Sequence, residues 1–574
     1  MKYPCSRSAW FRRALGVAML LAAPLAARGA VDMNPVETCE QFMVPKKKAA
    51  NGKMVGQENC RMRTITFEAF GRPLQRIEVG ITGTTEGYAI KAEANEVRYA
   101  NYFNEYPEVV YQQGGVKEPY FHGIGRYTMQ TGHMISIVVP TDPGQWNGKI
   151  FLHNHGAGRS FARGNALSWE LEFDPTDPNG GLQDLGRYEK IMIEKGYALV
   201  KTRRSTLMQG GDVTVTLDDG TELRNRNLTE QPSLIMSWAK LAGNILQDRL
   251  GRQPSRIYWY GHSGGARPGR MVNYKEGINI DTDGTPIIDG IIVDDAGSGL
   301  WLPISLQDGK DTILMTDEQK RRFVPMIEIS HLLYVNETHD DPPAYRGGNN
   351  FLANKRINAK TLLDKGLGDK FRYYEIDGVS HQGPGPAPSP PDRIPDILDI
   401  DLLMEGFIDL LDNWVEKGIA PPPNRSDWRV LGDPNRDNII ENPAIDMPEV
   451  ACPLGVFHIY GQGNATGTTQ FKYFTGVGLE PLDGRGEFRA DQDIVNVAAG
   501  FVDMNRNNYR DFVETIAEAW QRLGLLKPNE PFTREKYVAC VEQTAKKLVA
   551  EKFFLPRTLN LYLEKARTMP LPLQ

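Results

Sequence analysis

The stretch Arg256-Ile257-Tyr258-Trp259-Tyr260 runs straight into Gly261-His262-Ser263-Gly264-Gly265. No other feature constrains the fold of this chain as strongly. The first five residues read as a buried strand, and from Ala266 onward a helix can start, with Pro268 tolerable in its first turn. A strand, a tight turn and a helix with serine at the tip form a strained bend, in which glycine is needed because neighbouring chain passes close by. The start of the helix offers backbone N–H groups to a developing negative charge. The pattern G-x-S-x-G also occurs as a plain glycine-rich turn, so its weight comes from the strand before it and the residues after it.

Those residues alternate in type. Apolar or β-rich runs at 135–140, 149–154, 198–202, 256–260, 288–293 and 371–376, with a further one within 325–335, read as strands buried on both faces of a parallel sheet. Residues 233–250 and 397–417 carry apolar positions at helical spacing, and Gly251 closes the first of these. Alternation of this kind predicts an α/β class, a doubly wound and mostly parallel sheet. The expected division is a leader over 1–30, an N-terminal segment over 31–119, and a core over 120–420 with a cap insertion near 300–324. A C-terminal extension over 421–574, packed on the core, follows the proline-rich stretches at 383–391 and 421–423, with helices at 508–523 and 533–552.

A serine hydroxyl is a weak nucleophile until a base takes its proton. Of the nine histidines, His381 alone follows a late strand and a glycine turn and opens a long loop, which makes it the candidate base. The acid that orients it should lie between serine and histidine in the chain. Glu337 is the first choice, Asp340 the second, and Asp294 or Asp295 a third. A second N–H for an oxyanion should come from the loop after an early strand. There Phe151-Leu152-His153-Asn154-His155-Gly156-Ala157-Gly158 offers the N–H of Gly156 or Ala157 to pair with that of Gly264. His153-x-His155 also has the spacing of a metal chelate, but neither an HExxH motif nor a clear third ligand accompanies it, so no metal and no organic cofactor are expected.

Composition excludes some classes. Acidic and basic residues are interspersed at a formal net charge of -6, so no basic stripe invites nucleic acid. Lys2, Arg7, Arg12 and Arg13 precede an apolar run from Ala14 to Ala27 and then small residues. That is the layout of an export signal, with a retained anchor as the alternative, and the run is short for a membrane span. Cys39, Cys60, Cys452 and Cys540 remain beyond that segment. Export favours disulfides, with Cys39 paired to Cys60 and Cys452 to Cys540, against free buried thiols.

Several segments together resemble the large bacterial "alpha/beta hydrolase domain" family. Asp142-Pro143-Gly144-Gln145-Trp146-Asn147-Gly148-Lys149 is similar to its P-x-x-F-N-G lead into an early strand. Asn336-Glu337-Thr338 resembles T-E-T, Tyr374-Glu375-Ile376-Asp377-Gly378-Val379-Ser380-His381 resembles W-E-V-A-G-x-S-H, and Asp446-Met447-Pro448-Glu449-Val450 resembles L-P-D-V. Residues 534–556 resemble its closing helix. The family elbow usually reads G-E-S-x-S, so His262 and Gly265 are departures. The resemblance implies the α/β-hydrolase fold and a serine triad, and it gives a second reason to favour Glu337. The expected chemistry is cleavage of a small-molecule or oligomeric ester in an exported protein with no membrane span. The alternatives are amide hydrolysis by the same groups and a binding protein that keeps the fold without catalysis.

Overall fold

The computed structural model describes residues 32–91 (without 34–36, 44–46 and 49–53), 123–155, 187–203, 213–216, 222–225 and 232–296 (without 263–264, 275–278 and 282). It further describes 306–307, 310–311, 317–333, 351–381, 393–460 (without 396), 468–474 and 515–571. Its main feature is a twelve-stranded sheet. The long strands are β1 (Met54–Ala69), β2 (Arg72–Lys91), β3 (Gly123–Pro140), β4 (Lys149–His155), β5 (Ala198–Arg203), β6 (Arg256–His262), β7 (Gly290–Asp294), β8 (Met326–Leu333) and β9 (Phe371–Ser380). They lie in the order β1-β2-β3-β5-β4-β6-β7-β8-β9. From β5 to β9 all neighbours are parallel, while β1, β2 and β3 are antiparallel additions. The exchange of β4 and β5 in this order marks a crossover, and the sheet is mixed only at its N-terminal side.

Burial explains why the parallel strands are apolar throughout. Ile150, Phe151, Leu152, Tyr258, Trp259, Ile291, Ile292 and Val293 are all fully buried. Alternate residues feed two separate cores. Leu152, Trp259 and Val293 pack with Trp238, Leu241, Ala242, Ile245 and Leu246 of helix α2 (Pro232–Leu250), which follows helix α1 (Arg187–Glu194). Those α2 positions form one helical stripe, and Gly251, at φ 78°, ends it. Helix α3 (Ala266–Tyr274) lies on the same side. The opposite side takes Phe151, Tyr258 and Ile292 together with helix α5 (Asp401–Lys417). Helix α4 (Phe351–Asp364), which sequence periodicity does not reveal, buries Lys355, Arg356 and Asn358.

Element ends follow local hydrogen bonding. The run at 288–293 begins its strand only at Gly290, because Asn279 occupies both backbone groups of Ile288, at 2.8 and 2.9 Å. Helix α5 starts at Asp401, whose N–H donates to Asp399 Oδ1 at 3.0 Å, and stops at Gly418, at φ 65°. In the run at 508–523 the described helix begins at Ile516, behind a capping box of Thr515 and Glu518.

The N-terminal segment contributes strands. Phe70 and Gly71, at φ 56° and 70°, make the two-residue turn between β1 and β2, and that mirror-image turn matches strand twist. A disulfide joins Cys39 to Cys60 on β1, and a second joins Cys452 to Cys540. Both pairs are the expected ones. Beyond residue 420 the chain returns to the free edge of β9. Arg425 N–H donates to Tyr373 O at 3.0 Å, and Ile445 N–H to Glu375 O at 2.8 Å. Helices α6 (Arg534–Ala550) and α7 (Pro556–Thr568) pack there, and Phe553 between them crowds α5. Residues 1–30 and most of 300–316 lie outside the described residues. No helix among the described residues is long and apolar enough to cross a membrane.

A Cβ on Gly406 of α5 would sit 1.9 Å from the Phe553 carbonyl oxygen, which is backbone. Gly406→Ala should therefore destabilise the chain by about 2 kcal/mol or more, read as a lower urea midpoint with an unchanged slope. A neutral outcome would mean that the closing helices do not press on α5.

Candidate active site

The turn between β6 and α3 is tight. A Cβ on Gly261 would lie 2.3 Å from the Gly265 carbonyl oxygen and 2.8 Å from Ala266 Cα. Only a residue without a side chain lets the chain double back at that distance. One helical turn on, a Cβ on Gly269 would meet the Trp259 indole nitrogen at 2.9 Å, so α3 lies directly against β6. Ser263 and Gly264 fall within this bend but outside the described residues, as do Gly156, Ala157, Glu337 and Asp340.

Parallel register brings the strand ends together. His262 on β6 is level with His155 on β4 and with Asp294 on β7. His381 directly follows β9, two strands further on, and is 9% exposed. Its Nδ1 is hydrogen-bonded to Asp295 Oδ2. An ionised carboxylate only accepts, so the neutral imidazole carries its proton on Nδ1 and leaves Nε2 as the acceptor.

Asp295 is the residue after β7, and its backbone is left-handed, at φ 48°. Successive strand residues point to opposite faces. The left-handed turn breaks that alternation and lets Asp294 and Asp295 serve one cluster of imidazoles. Asp295 is fixed from every side. Its N–H donates to Ile329 O at 2.9 Å, and its Oδ1 accepts from the His331 N–H at 3.0 Å and from Lys355 Nζ. Asp294 Oδ2 accepts from the Tyr260 hydroxyl at 2.7 Å and lies 3.1 Å from His262 Nδ1. His331, fully buried, stands between the two acids, with Nε2 3.0 Å from Asp294 Oδ1 and Nδ1 3.6 Å from Asp295 Oδ2.

Electrostatics follows from this packing. Burial works to raise both aspartates, but the groups facing them outweigh it: His331 and His262 hold Asp294 below the ordinary carboxylate range, and Lys355, His331 and His381 hold Asp295 well below it. Burial works to lower His331, and Asp295 and Asp294 overcome it, so this imidazole is raised. His381 is lowered, chiefly by burial, with Asp295 opposing and His262 and Lys355 adding to the fall. Tyr260 is pushed well above 10 by burial and the Asp294 charge, so it stays a neutral donor.

A second buried group adjoins the first. Glu189 of α1 binds Nδ1 of His153 and, at 2.9 Å, Nζ of Lys201 on β5. Burial alone would raise Glu189, but Lys201 and His153 bring it down to about 2. The His153 ring lies 4.9 Å from that of Tyr260. His153 thus braces β4 near its carboxyl end, and its Nδ1 is engaged by a carboxylate. Among the described residues, Asp433, Asp437 and Glu441 bring three carboxylates within 4.8 Å of one another, in the C-terminal extension.

A parallel sheet with its buried imidazole–carboxylate pair at the carboxyl ends of the strands, beside a glycine-bounded bend, defines an α/β hydrolase. The family described as "Alpha/beta hydrolase domain" matches residues 235–564, and the chain belongs to that family. No curated protein matches it. Among solved structures it is similar to LpqC, a poly(3-hydroxybutyrate) depolymerase from Bordetella parapertussis. That likeness has 10% identity and a TM-score of 0.27, covering 50% of this chain and 86% of that one. It is also similar to the Pyrococcus furiosus esterase Pf2001, at 11% identity and a TM-score of 0.21, covering 43% and 78%. Thermogutta terrifontis esterase 2 matches at 11% identity and a TM-score of 0.23, covering 43% and 80%.

Gly261→Ala tests the bend. The added methyl cannot be accommodated without moving the Gly265 backbone, so hydrolase activity should fall by about a hundredfold while circular dichroism stays native. Retention of full activity would show that the bend need not close as described.

Proposed function

We propose that the chain is an exported serine hydrolase acting on carboxylic esters, with Ser263 as nucleophile, His381 as general base and Asp295 as the orienting acid. One observation carries this reading: His381 Nδ1 rests on a buried aspartate at the end of β7, the strand next to the one that leads into Ser263. The assignment replaces Glu337, the first choice from sequence, which lies outside the described residues, by the third option. The two disulfides are the support for export, since such bonds persist in oxidising compartments.

The reaction runs through an acyl-enzyme. Ser263 Oγ attacks the ester carbonyl carbon while His381 Nε2 takes its proton, and the carbonyl electron pair moves to oxygen. The N–H groups of Gly264 and of Gly156 or Ala157 receive that oxyanion. Asp295 stabilises the imidazolium. Collapse expels the alcohol, which leaves with the proton from Nε2, and the acyl group stays on Ser263. Water then attacks the acyl carbon, giving a proton to His381 Nε2; collapse breaks the bond to Ser263 Oγ, which takes that proton, and the acid is released. The proton first taken from Ser263 leaves with the alcohol, a proton from water replaces it, and the cycle as written calls for no metal or organic cofactor.

Ser263→Ala should lower kcat on p-nitrophenyl acetate by at least about a thousandfold and abolish labelling by a fluorophosphonate probe, without lowering the melting temperature. Wild-type rates in that variant would reject the nucleophile. Asp295→Asn should cost on the order of 10³ to 10⁴ in kcat. A larger loss in Glu337→Gln would transfer the acid role to that residue.

The pH dependence has a defined sign. The base works as neutral imidazole, and His381 is lowered from its usual 6.5. The neutral form therefore persists further into acid, and the acid limb of kcat/KM should have its midpoint below 6.5. A midpoint above that value would contradict a His381 governed by burial.

A further inference from the structure

His262 stands immediately before the proposed nucleophile, where the family usually places glutamate, and the reaction above gives it no part. Its surroundings repeat those of His381. Each imidazole points Nδ1 at one of two successive aspartates: His381 at Asp295 and His262 at Asp294, the latter at 3.1 Å. The two rings lie face to face, with centroids 5.2 Å apart and planes 28° from parallel. Both side chains are reached by solvent, at 12% and 11% exposure, whereas His331 behind them is fully closed off.

We propose that His262 is a positioning residue for His381: its ring, anchored by Asp294, holds the catalytic imidazole in plane and opposes the gain of charge there. This role rests on the serine-hydrolase reading.

The physical case has two parts. A hydrogen bond at Nδ1 permits an imidazole to pivot about that bond, and a flat ring packed against its face restricts the pivot and steadies the direction of Nε2. The second part is Coulombic. An imidazole at this separation, in a partly desolvated site, acts on the proton affinity of its neighbour, and here it lowers that of His381. Among the described residues, the groups facing the pair include Asp294 and Asp295 from the end of β7, His331 from β8, Tyr260 from β6 and Lys355 from α4. Tyr260 remains neutral, and Lys355 is committed to Asp295. His262 is thus the partly exposed imidazole in ring contact with His381, and it is among the causes that lower His381.

The full-length protein tests the proposal through two substitutions. His262→Asn keeps a donor near the position of Nδ1 and removes the ring. His262→Phe keeps a flat ring and removes the ring nitrogens. Profiles of kcat/KM against pH on p-nitrophenyl acetate should show the acid limb of both variants moved to higher pH by at least about half a unit. The plateau rate should fall further in His262→Asn than in His262→Phe, because only the latter retains the packed face. A structural role alone would lower rates and leave the limb in place. An unmoved limb in whichever variants melt cooperatively overturns the proposal. Fluorophosphonate labelling of the wild type, lost in Ser263→Ala, is read in parallel. If that labelling fails, the serine reading falls. If it succeeds and the limb does not move, only the role of His262 falls.

Discussion

Two buried negative charges in succession, Asp294 and Asp295, hold together the carboxyl end of this sheet. Removing a carboxylate from water costs several kcal/mol unless partners replace the lost solvation. Here Tyr260, His262 and His331 attend the first, and His331, Lys355 and His381 attend the second. The left-handed backbone at Asp295 adds a local cost of roughly 1–3 kcal/mol, which the same contacts offset. The cluster is therefore interdependent: losing one partner leaves a charge stranded among the rest, and the geometry of the imidazoles follows the two acids.

Charged groups of this kind also organise the helical side of the sheet. Helix α4 sends Lys355 to Asp295, Arg356 to Glu375 in a two-pronged contact, and Asn358 toward Glu328, which in turn binds Arg270 of α3. Each charged partner lies on a different strand end or strand, so the helix is fixed in direction as well as in depth. Directional bonds do this where an apolar stripe would allow sliding. His381, Asp295 and the bend are in this way tied to the most deeply buried strands.

The legible parts of the sequence were those whose residue pattern reflects burial alone. The apolar runs of β4, β6 and β7 and the stripe of α2 announced themselves, and the position of His381 after a strand and a glycine turn was readable. Helix α4 was not, because its buried face carries Lys355, Arg356 and Asn358, which read as surface. The hairpin of β1 and β2 was missed because Phe70-Gly71 is not a usual signature for its turn. The choice of Asp295 over other carboxylates depends on a single left-handed residue that sets two side chains toward one cluster, and residue type does not encode that. The Glu189–Lys201–His153 group was hidden for a similar reason: its members come from α1, β5 and β4, and only the register of the sheet brings them together.

The last strand of the parallel set would have an unpaired flank if the chain ended at the prolines near residue 421. Backbone groups of Arg425 and Ile445 occupy that flank, and the disulfide between Cys452 and Cys540 closes the segment that follows. An open strand edge is a template for another molecule. The segment after residue 420 therefore covers an edge that would otherwise stand open, and the covalent link from Cys452 to Cys540 fastens that cover to a helix 88 residues further on.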